Sequence, residues 1–370
     1  MKATGSDDVV REDAVSRMRR LQSERRARGG DVMAGLMSAY FGTPRDKVLE
    51  AELDTLIDSF LLAEDAAGDR SRRVGRLREG RALTVMGESG VGKSRALDRH
   101  FLKREEFAGY GDRNADCILV SVTTPSPCTL RLLGMTVLAA LGYEITRELK
   151  ENVVWDIAHH QLALRGIRFL HIDELQHVLQ SRNAVEIKKV QDTLKGLMQH
   201  TEWPVWLILS GLPSIGSMLC GDEQVWRRAR HVVFEDLTLE RDAALVRRVI
   251  AFYGSEKAGL SVESVTNDGF VARLLHAAIN RFGIVIEVIQ DAIRHALLLG
   301  SDALGTEHFA AAYAGRTGCL PEWNVFTAAA TDWHLIDPRA ALQRKDPAGG
   351  DGSEDTKPTR TRNPRDRRNK

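Results

Sequence analysis

The chain has 370 residues, 43% of them hydrophobic and 28% charged, and its 52 Lys+Arg against 51 Asp+Glu give a formal charge of +1. That balance excludes a histone-like protein that binds nucleic acid by bulk charge, and the apolar share is ordinary for a chain that buries a sizeable core. No apolar run approaches the roughly 20 residues that span a bilayer. The start, Met1-Lys-Ala-Thr-Gly-Ser-Asp-Asp, lacks the apolar stretch of a secretory signal, so a cytoplasmic protein without membrane contact is expected.

Residues 1–34 form a basic N-terminal arm, with Arg17, Arg19, Arg20, Arg25, Arg26 and Arg28 ahead of Gly29-Gly30. It reads as a solvated helix or a flexible arm. From 35 to 238 the pattern alternates. Strands are predicted at Arg81–Met86, Cys117–Val122, Ile167–Ile172 and Val205–Leu209, with a short apolar strand before Phe234. Helices are predicted from Lys93, over Leu130–Leu141 and over Val190–Met198. Alternation of this kind implies an α/β core, a mostly parallel sheet with helices on both faces.

After Leu239 the strand signals stop. Ala243–Tyr253, Phe270–Arg281, Ile286–Leu299 and Glu307–Ala314 read as helices of a small all-helical unit over 239–315, with Thr306 the expected N-cap of the last. A C-terminal extension follows over 316–343. The tail 344–370 holds Pro347, Pro358, Pro364 and six basic residues from Arg360 to Lys370, with almost nothing apolar. It is expected to be a disordered basic tail. No internal repeat is present. The four cysteines, Cys117, Cys128, Cys220 and Cys319, show no CxxC spacing, so neither zinc nor disulfides are indicated. His159 and His160 are neighbours that a helix would point about 100° apart, and they read as surface or boundary residues.

The chemistry starts at Gly87-Glu88-Ser89-Gly90-Val91-Gly92-Lys93-Ser94, which fits G-x-x-x-x-G-K-[ST] between a predicted strand and a predicted helix. Its glycines let backbone N–H groups curl around phosphates at a helix N-terminus. Lys93 would reach the β/γ-phosphates and Ser94 would ligate Mg²⁺. About 80 residues on, Phe169-Leu-His-Ile172 ends in Asp173-Glu174. Asp173 would hold the water shell of the metal, and Glu174 would orient the attacking water. Ser210, at the end of the fourth strand, is the candidate to touch the γ-phosphate or the water; a plain loop-starting serine is the alternative. Arg227 and Arg228, with Arg230 behind them, stand just before a short apolar strand. Such guanidinium groups can stabilise a transferring phosphoryl, in trans if need be, and structural salt bridges are the other reading.

P-loop, Asp-Glu strand end, polar fourth-strand end, distal arginines and a helical lid together resemble an AAA+ ATPase over about residues 35–315. Within that superfamily the chain is similar to the TniB/TnsC-type transposition ATPases, relatives of the origin-recognition and Cdc6 group. The closer match rests on Tyr40-Phe-Gly-Thr43-Pro44, the P-loop wording, Leu209-Ser-Gly-Leu-Pro213, and Glu307-His-Phe-Ala-Ala-Ala-Tyr313 followed by Asn324-Val-Phe326. The resemblance implies ATP and Mg²⁺ as cofactors, with Gly87 to Ser94, Arg95 and the adenine-facing Tyr40 around the nucleotide. It implies an ATPase that forms a ring or filament on double-stranded DNA without strong sequence preference and recruits or activates a DDE-type transposase. One departure stands out: no arginine follows Gly283 in the lid, and Arg281 lies two residues before it.

The rival reading is an AAA+ switch of another kind, replication-initiator or loader-like, or a signalling ATPase. The roughly 55 residues after Ala314 are too few and too polar for the winged-helix or sensor domain it would bring. A relic P-loop in a binding module is disfavoured by Glu174, and a GTPase by the absence of Asn-Lys-x-Asp. The basic ends suit phosphate contacts, and no helix-turn-helix or zinc finger is present to read bases.

Overall fold

The computed structural model describes residues 13–339 apart from 21–23, 68–78, 113, 146–147 and 182–183. The tail 344–370, and the side chains of Arg19, Arg20, Arg25, Arg26 and Arg28, lie outside the described residues. Five strands, β1 (Ala82–Gly87), β2 (Leu119–Thr123), β3 (Phe169–Asp173), β4 (Trp206–Gly211) and β5 (Ala229–Phe234), build one parallel sheet in the order β2-β3-β4-β1-β5. The first four lie within two residues of the expected spans at either end. The inner strands β1, β3 and β4 are buried at every residue, whereas the edges β2 and β5 are only partly buried. A strand covered on both faces must be apolar on both, and a sheet edge is half solvated.

The helices begin with α1 (Ala14–Arg20), α2 (Glu24–Ser38), α3 (Pro44–Ala67) and α4 (Lys93–Lys103). Next come α5 (Leu130–Ala140), α6 (Glu151–Leu164), α7 (Ala184–Gln199), α8 (Ser214–Cys220) and α9 (Glu223–Trp226). After the sheet follow α10 (Leu239–Ile250), α11 (Asp268–Ala277), α12 (Phe282–Leu299) and α13 (Thr306–Thr317). Among the described residues no helix is long and apolar enough to cross a membrane.

Helices α3 and α4 cover one face of the sheet, with Leu49, Leu53, Leu97 and Phe101 packed on Leu83, Val85, Phe169 and Ile208. On the other face Leu133, Val137, Val154, Leu194 and Met198, from α5, α6 and α7, meet Leu170, Ile172, Leu207 and Leu209. The sequence reading placed no helix at 44–67, although Leu49, Leu53, Leu56 and Ile57 recur at helical spacing and are buried. Pro44 sits in the first turn of α3, where a missing N–H costs nothing, and Asp46 accepts from Thr43 N at 2.6 Å and from its hydroxyl at 2.7 Å.

The third core is the helical unit after β5, where Val246, Leu274, Ile289 and Phe309 meet. Helix α2 belongs to it. Met33 and Leu36 are buried there, and Gln290 Nε2 donates to Leu36 O at 2.9 Å, so the expected boundary at 34/35 falls inside a helix that spans it. The extension after α13 also packs here through Val325, Phe326 and Ile336. Two expected helix ends shift. Ile279 and Asn280 take positive φ values of 52° and 57°, so α11 stops before them and Arg281 becomes the N-cap of α12. The N-cap of α13 is Gly305, with Thr306 its first helical residue; His308 Nδ1 accepts from Gly305 N at 2.9 Å, and a Cβ at 305 would strike the Glu307 carboxylate.

Candidate nucleotide-binding site

The strand order sets the C-terminal ends of β1, β3 and β4 side by side, which is where ligands bind in an open parallel sheet. The end of β1 leads into the loop from Gly87 to Ser94. Gly90 and Gly92 hold φ of 83° and 98°, a region that costs an L side chain strain but glycine nothing. Val91 anchors the loop in the core, and α4 begins at Lys93 directly behind Gly92. Lys93 is buried, and its ammonium donates to the loop's own carbonyls, Gly87 O at 2.8 Å and Glu88 O at 3.1 Å. Burial lowers its pKa, while Glu174, Asp173 and Glu88 oppose that shift.

Around Asp173 the hydroxyls converge. Ser94 Oγ donates to Asp173 Oδ2 at 2.7 Å and Ser210 Oγ to Asp173 Oδ1 at 2.5 Å. Burial pushes the Asp173 carboxyl up, but these two hydrogen bonds, His171 and the Glu174 N–H outweigh it, and the net direction is down. The carboxylate therefore stays ionised. Ser210 is fully buried. Its one proton is directed at Asp173 and its oxygen lies 2.9 Å from His171 Nε2, so in this state it braces Asp173 rather than offering a donor to phosphate or water. His171 Nδ1 lies 2.7 Å from Ser121 Oγ. With Ser210 donating to Asp173, the consistent tautomer has His171 Nε2–H donating to Ser210 and Nδ1 accepting from Ser121.

Glu174 follows at φ 56°, with Asp173 Oδ1 accepting from its N–H at 2.9 Å. Its Oε2 accepts from the side-chain amide of Gln176. Arg281 reaches the loop from the far side. It is buried, donates to Ser89 O at 2.9 Å, and pairs with Glu88 at 3.4 Å and Asp236 at 3.1 Å. The lid thus brings a guanidinium to the phosphate loop from two residues before Gly283. Gly283 itself lies so close that a Cβ there would sit 2.5 Å from Gly90 O.

Beside the loop opens a cleft of about 740 Å³, including its open mouth, lined by Tyr40, Phe41, Arg45, Tyr253, Phe282 and Ile286 among others. Tyr40 donates to Asp46 and carries the Arg99 guanidinium 4.1 Å above its ring. Arg95 lines the cleft too, but its guanidinium donates to Met37 O and, at 2.8 Å, to Ala39 O, pinning the lead-in segment. The arginines before β5 differ among themselves. Arg228 is tied to Glu79 at 2.7 Å and to Gln224 O at 2.7 Å with its side chain 10% exposed, and Arg230 pairs with Glu52. Arg227 is 60% exposed and, among the described residues, pairs with Glu223, one turn away.

Thus Lys93, Ser94, Asp173, Glu174 and Ser210 come together, with Tyr40 in the adjoining cleft, while Arg227, exposed, and Arg228, largely buried, lie just before β5. His171, Ser121 and Gln176 were not anticipated. A histidine inside an otherwise apolar strand, and a glutamine just past the acidic pair, were the available signals.

Residues 72–239 match the family model described as the bacterial TniB protein. Among solved structures the chain is similar to Cdc6p from Pyrobaculum aerophilum, with a TM-score of 0.53 and 13% identity over 77% of this chain and 70% of that one. Looser likenesses are the Aeropyrum pernix ORC1 protein in complex with DNA and Drosophila ORC bound to DNA. The first has TM-score 0.47, 18% identity, and 72% and 65% coverage of this chain and of that one. The second has TM-score 0.47, 14% identity, and 85% and 70% coverage. No curated protein sequence matches. At such identities the likeness is one of fold. Sheet order and phosphate loop agree with the fold of Cdc6p, and the stretch 72–239 is similar to TniB.

Proposed function

We propose that this chain hydrolyses Mg-ATP at the loop between β1 and α4 and uses the nucleotide to assemble on target DNA, where it recruits or activates a DDE-type transposase. The observation that carries the hydrolytic part is the convergence of Lys93, Ser94, Asp173 and Glu174 at one end of the sheet. The match of residues 72–239 to the TniB model supports the transposition part.

Ser94 Oγ and the Asp173 carboxylate, 2.7 Å apart, are the hard oxygen pair that Mg²⁺ accepts alongside its waters and phosphate oxygens. When bound there it would neutralise charge on the β- and γ-phosphates. Lys93 leaves the Gly87 and Glu88 carbonyls to pair with those phosphates, a cheap exchange because carbonyls are weaker partners than anions. Glu174 orients the attacking water. Ser210 works through Asp173, holding the carboxylate in place, and Arg281 adds positive charge from the lid. Tyr40 and Phe41 offer the base an apolar wall. Arg227 completes the site of a neighbouring copy.

Steady-state ATP hydrolysis tests this directly. Lys93→Ala should abolish nucleotide binding or turnover. Glu174→Gln should bind ATP as the parent does and slow hydrolysis by 100-fold or more, within the usual range of 10²–10⁴ for a catalytic acid–base group. Parental turnover in Glu174→Gln would remove it from the water-orienting role. Co-purification with a DDE-type transposase, dependent on ATP and DNA, tests the transposition part.

A further inference from the structure

We infer that Gln176 is a positioning residue for hydrolysis, coupling the carboxylate of Glu174 to the end of β4; this rests on the ATPase reading above. Gln176 is buried, just past β3, and both ends of its amide are used. Leu212 N, the first N–H beyond β4, donates to Gln176 Oε1 at 3.0 Å, and Gln176 Nε2 donates to Glu174 Oε2. Chemistry forces this orientation. An N–H can only donate and an ionised carboxylate can only accept, so the amide cannot be flipped without breaking both bonds.

The surroundings are shaped to admit that amide. A Cβ at Gly211 would collide with Gln176 Oε1, so the glycine that ends β4 leaves the space the side chain occupies. Glu174, at φ 56°, stands at a sharp bend after β3, and His177 N caps that bend by donating to Glu174 O at 3.0 Å. One carboxylate oxygen is held by Gln176, which leaves Oε1 to face a water. Glu174 is one of the charges that oppose the lowering of the Lys93 pKa by burial, so carboxylate and loop lysine share one electrostatic environment. The bend aims the side chain and the amide stops it rotating. Because Leu212 lies two residues beyond Ser210, the strand end that braces Asp173 also fixes Glu174.

The decisive variant is Gln176→Glu. Its carboxylate can still accept from Leu212 N but cannot donate to Glu174, and it sets a like charge beside it. Kcat for ATP should fall about tenfold or more, with KM changed less than about twofold, because Gln176 touches the base and not the nucleotide. In a Glu174→Gln background the same substitution should add no further loss, since Gln176 acts only through Glu174. Gly211→Ala, which displaces the amide without altering either carboxylate, should reproduce the kcat loss and serves if Gln176→Glu does not fold. Parental kcat in both variants, a rise in kcat, or an equal additional loss in the Glu174→Gln background would each overturn the inference. A parent chain that does not turn over ATP would sink the ATPase reading first, and this inference with it.

Discussion

Both ring nitrogens of His171 are engaged inside the sheet, by Ser121 and by Ser210, and burial, only partly offset by Asp173 and Asp98, drives its pKa down to about 4. In the unfolded chain the same ring titrates near 6.5. Below that pH the unfolded chain takes up a proton that the folded one refuses, so stability is complete above about 6.5 and is lost as the pH falls towards 4. The loss from this one group is at most roughly 1.4 kcal/mol per pH unit. His171→Asn removes the titration, so its urea-unfolding stability should fall less steeply than the parent's between pH 6.5 and 4, both measured with chelator present. His100, His159 and His231 are also depressed by burial and remain in both proteins, so the comparison isolates His171. Parallel curves would show that the proton is accommodated elsewhere in the network.

Helix α12 packs closely against the phosphate loop through a glycine in its first turn. Gly283→Ala should drive the start of the helix from Gly90, carrying Arg281 and Phe282 with it. Affinity for a fluorescent ATP analogue should drop about tenfold, a loss of ~1.4 kcal/mol, while the thermal unfolding midpoint moves little because the lid core is untouched. Unchanged affinity would mean the lid yields freely at this contact. Elements of this kind divide what sequence alone can and cannot reveal. Strands β1, β3 and β4 were legible because double burial leaves a mostly apolar run, and the phosphate loop because its chemistry is contiguous. The position of Arg281 was not. Its arrival at Ser89 depends on two left-handed residues, Ile279 and Asn280, which sequence periodicity reads as two more positions of helix. Gln176 and His171 were hidden for another reason. Their partners Leu212, Ser210 and Ser121 lie 36, 39 and 50 residues away and meet them only once the strands are in register. The helical spacing in α3, by contrast, was visible in the residues themselves.

At the scale of the whole molecule the near-zero net charge makes the distribution of arginine decisive. DNA contacts drawn from backbone charge predict sequence-tolerant binding whose log–log salt slope grows by about 0.9 per phosphate neutralised. Removing residues 345–370 should weaken that binding and leave basal ATP hydrolysis intact; anisotropy titrations across salt, with and without ATP, measure both the slope and the gain from nucleotide. Tight binding to one sequence with a shallow slope would contradict it. The arginines before β5 make a sharper demand. Arg228 is largely buried on Glu79, and Arg230, though exposed, is held by Glu52 from α3. Exposed Arg227 pairs with Glu223 one turn away on its own surface and is the arginine best placed to reach a neighbour's phosphates. A finger supplied in trans makes every site a composite of two copies joined head to tail. Specific ATPase activity should then rise with protein concentration, and Arg227→Ala should lower it without loosening the fold, since Glu223 is itself exposed. Lys93→Ala chains, inactive alone, and Arg227→Ala chains, impaired alone, should recover activity when mixed, because an intact loop on one copy can face an intact arginine on the next. Random assembly of equal amounts makes about a quarter of such interfaces competent, so roughly that share of parental activity is expected. Recovery absent at every mixing ratio, together with activity independent of concentration, would return Arg227 to an ordinary surface ion pair.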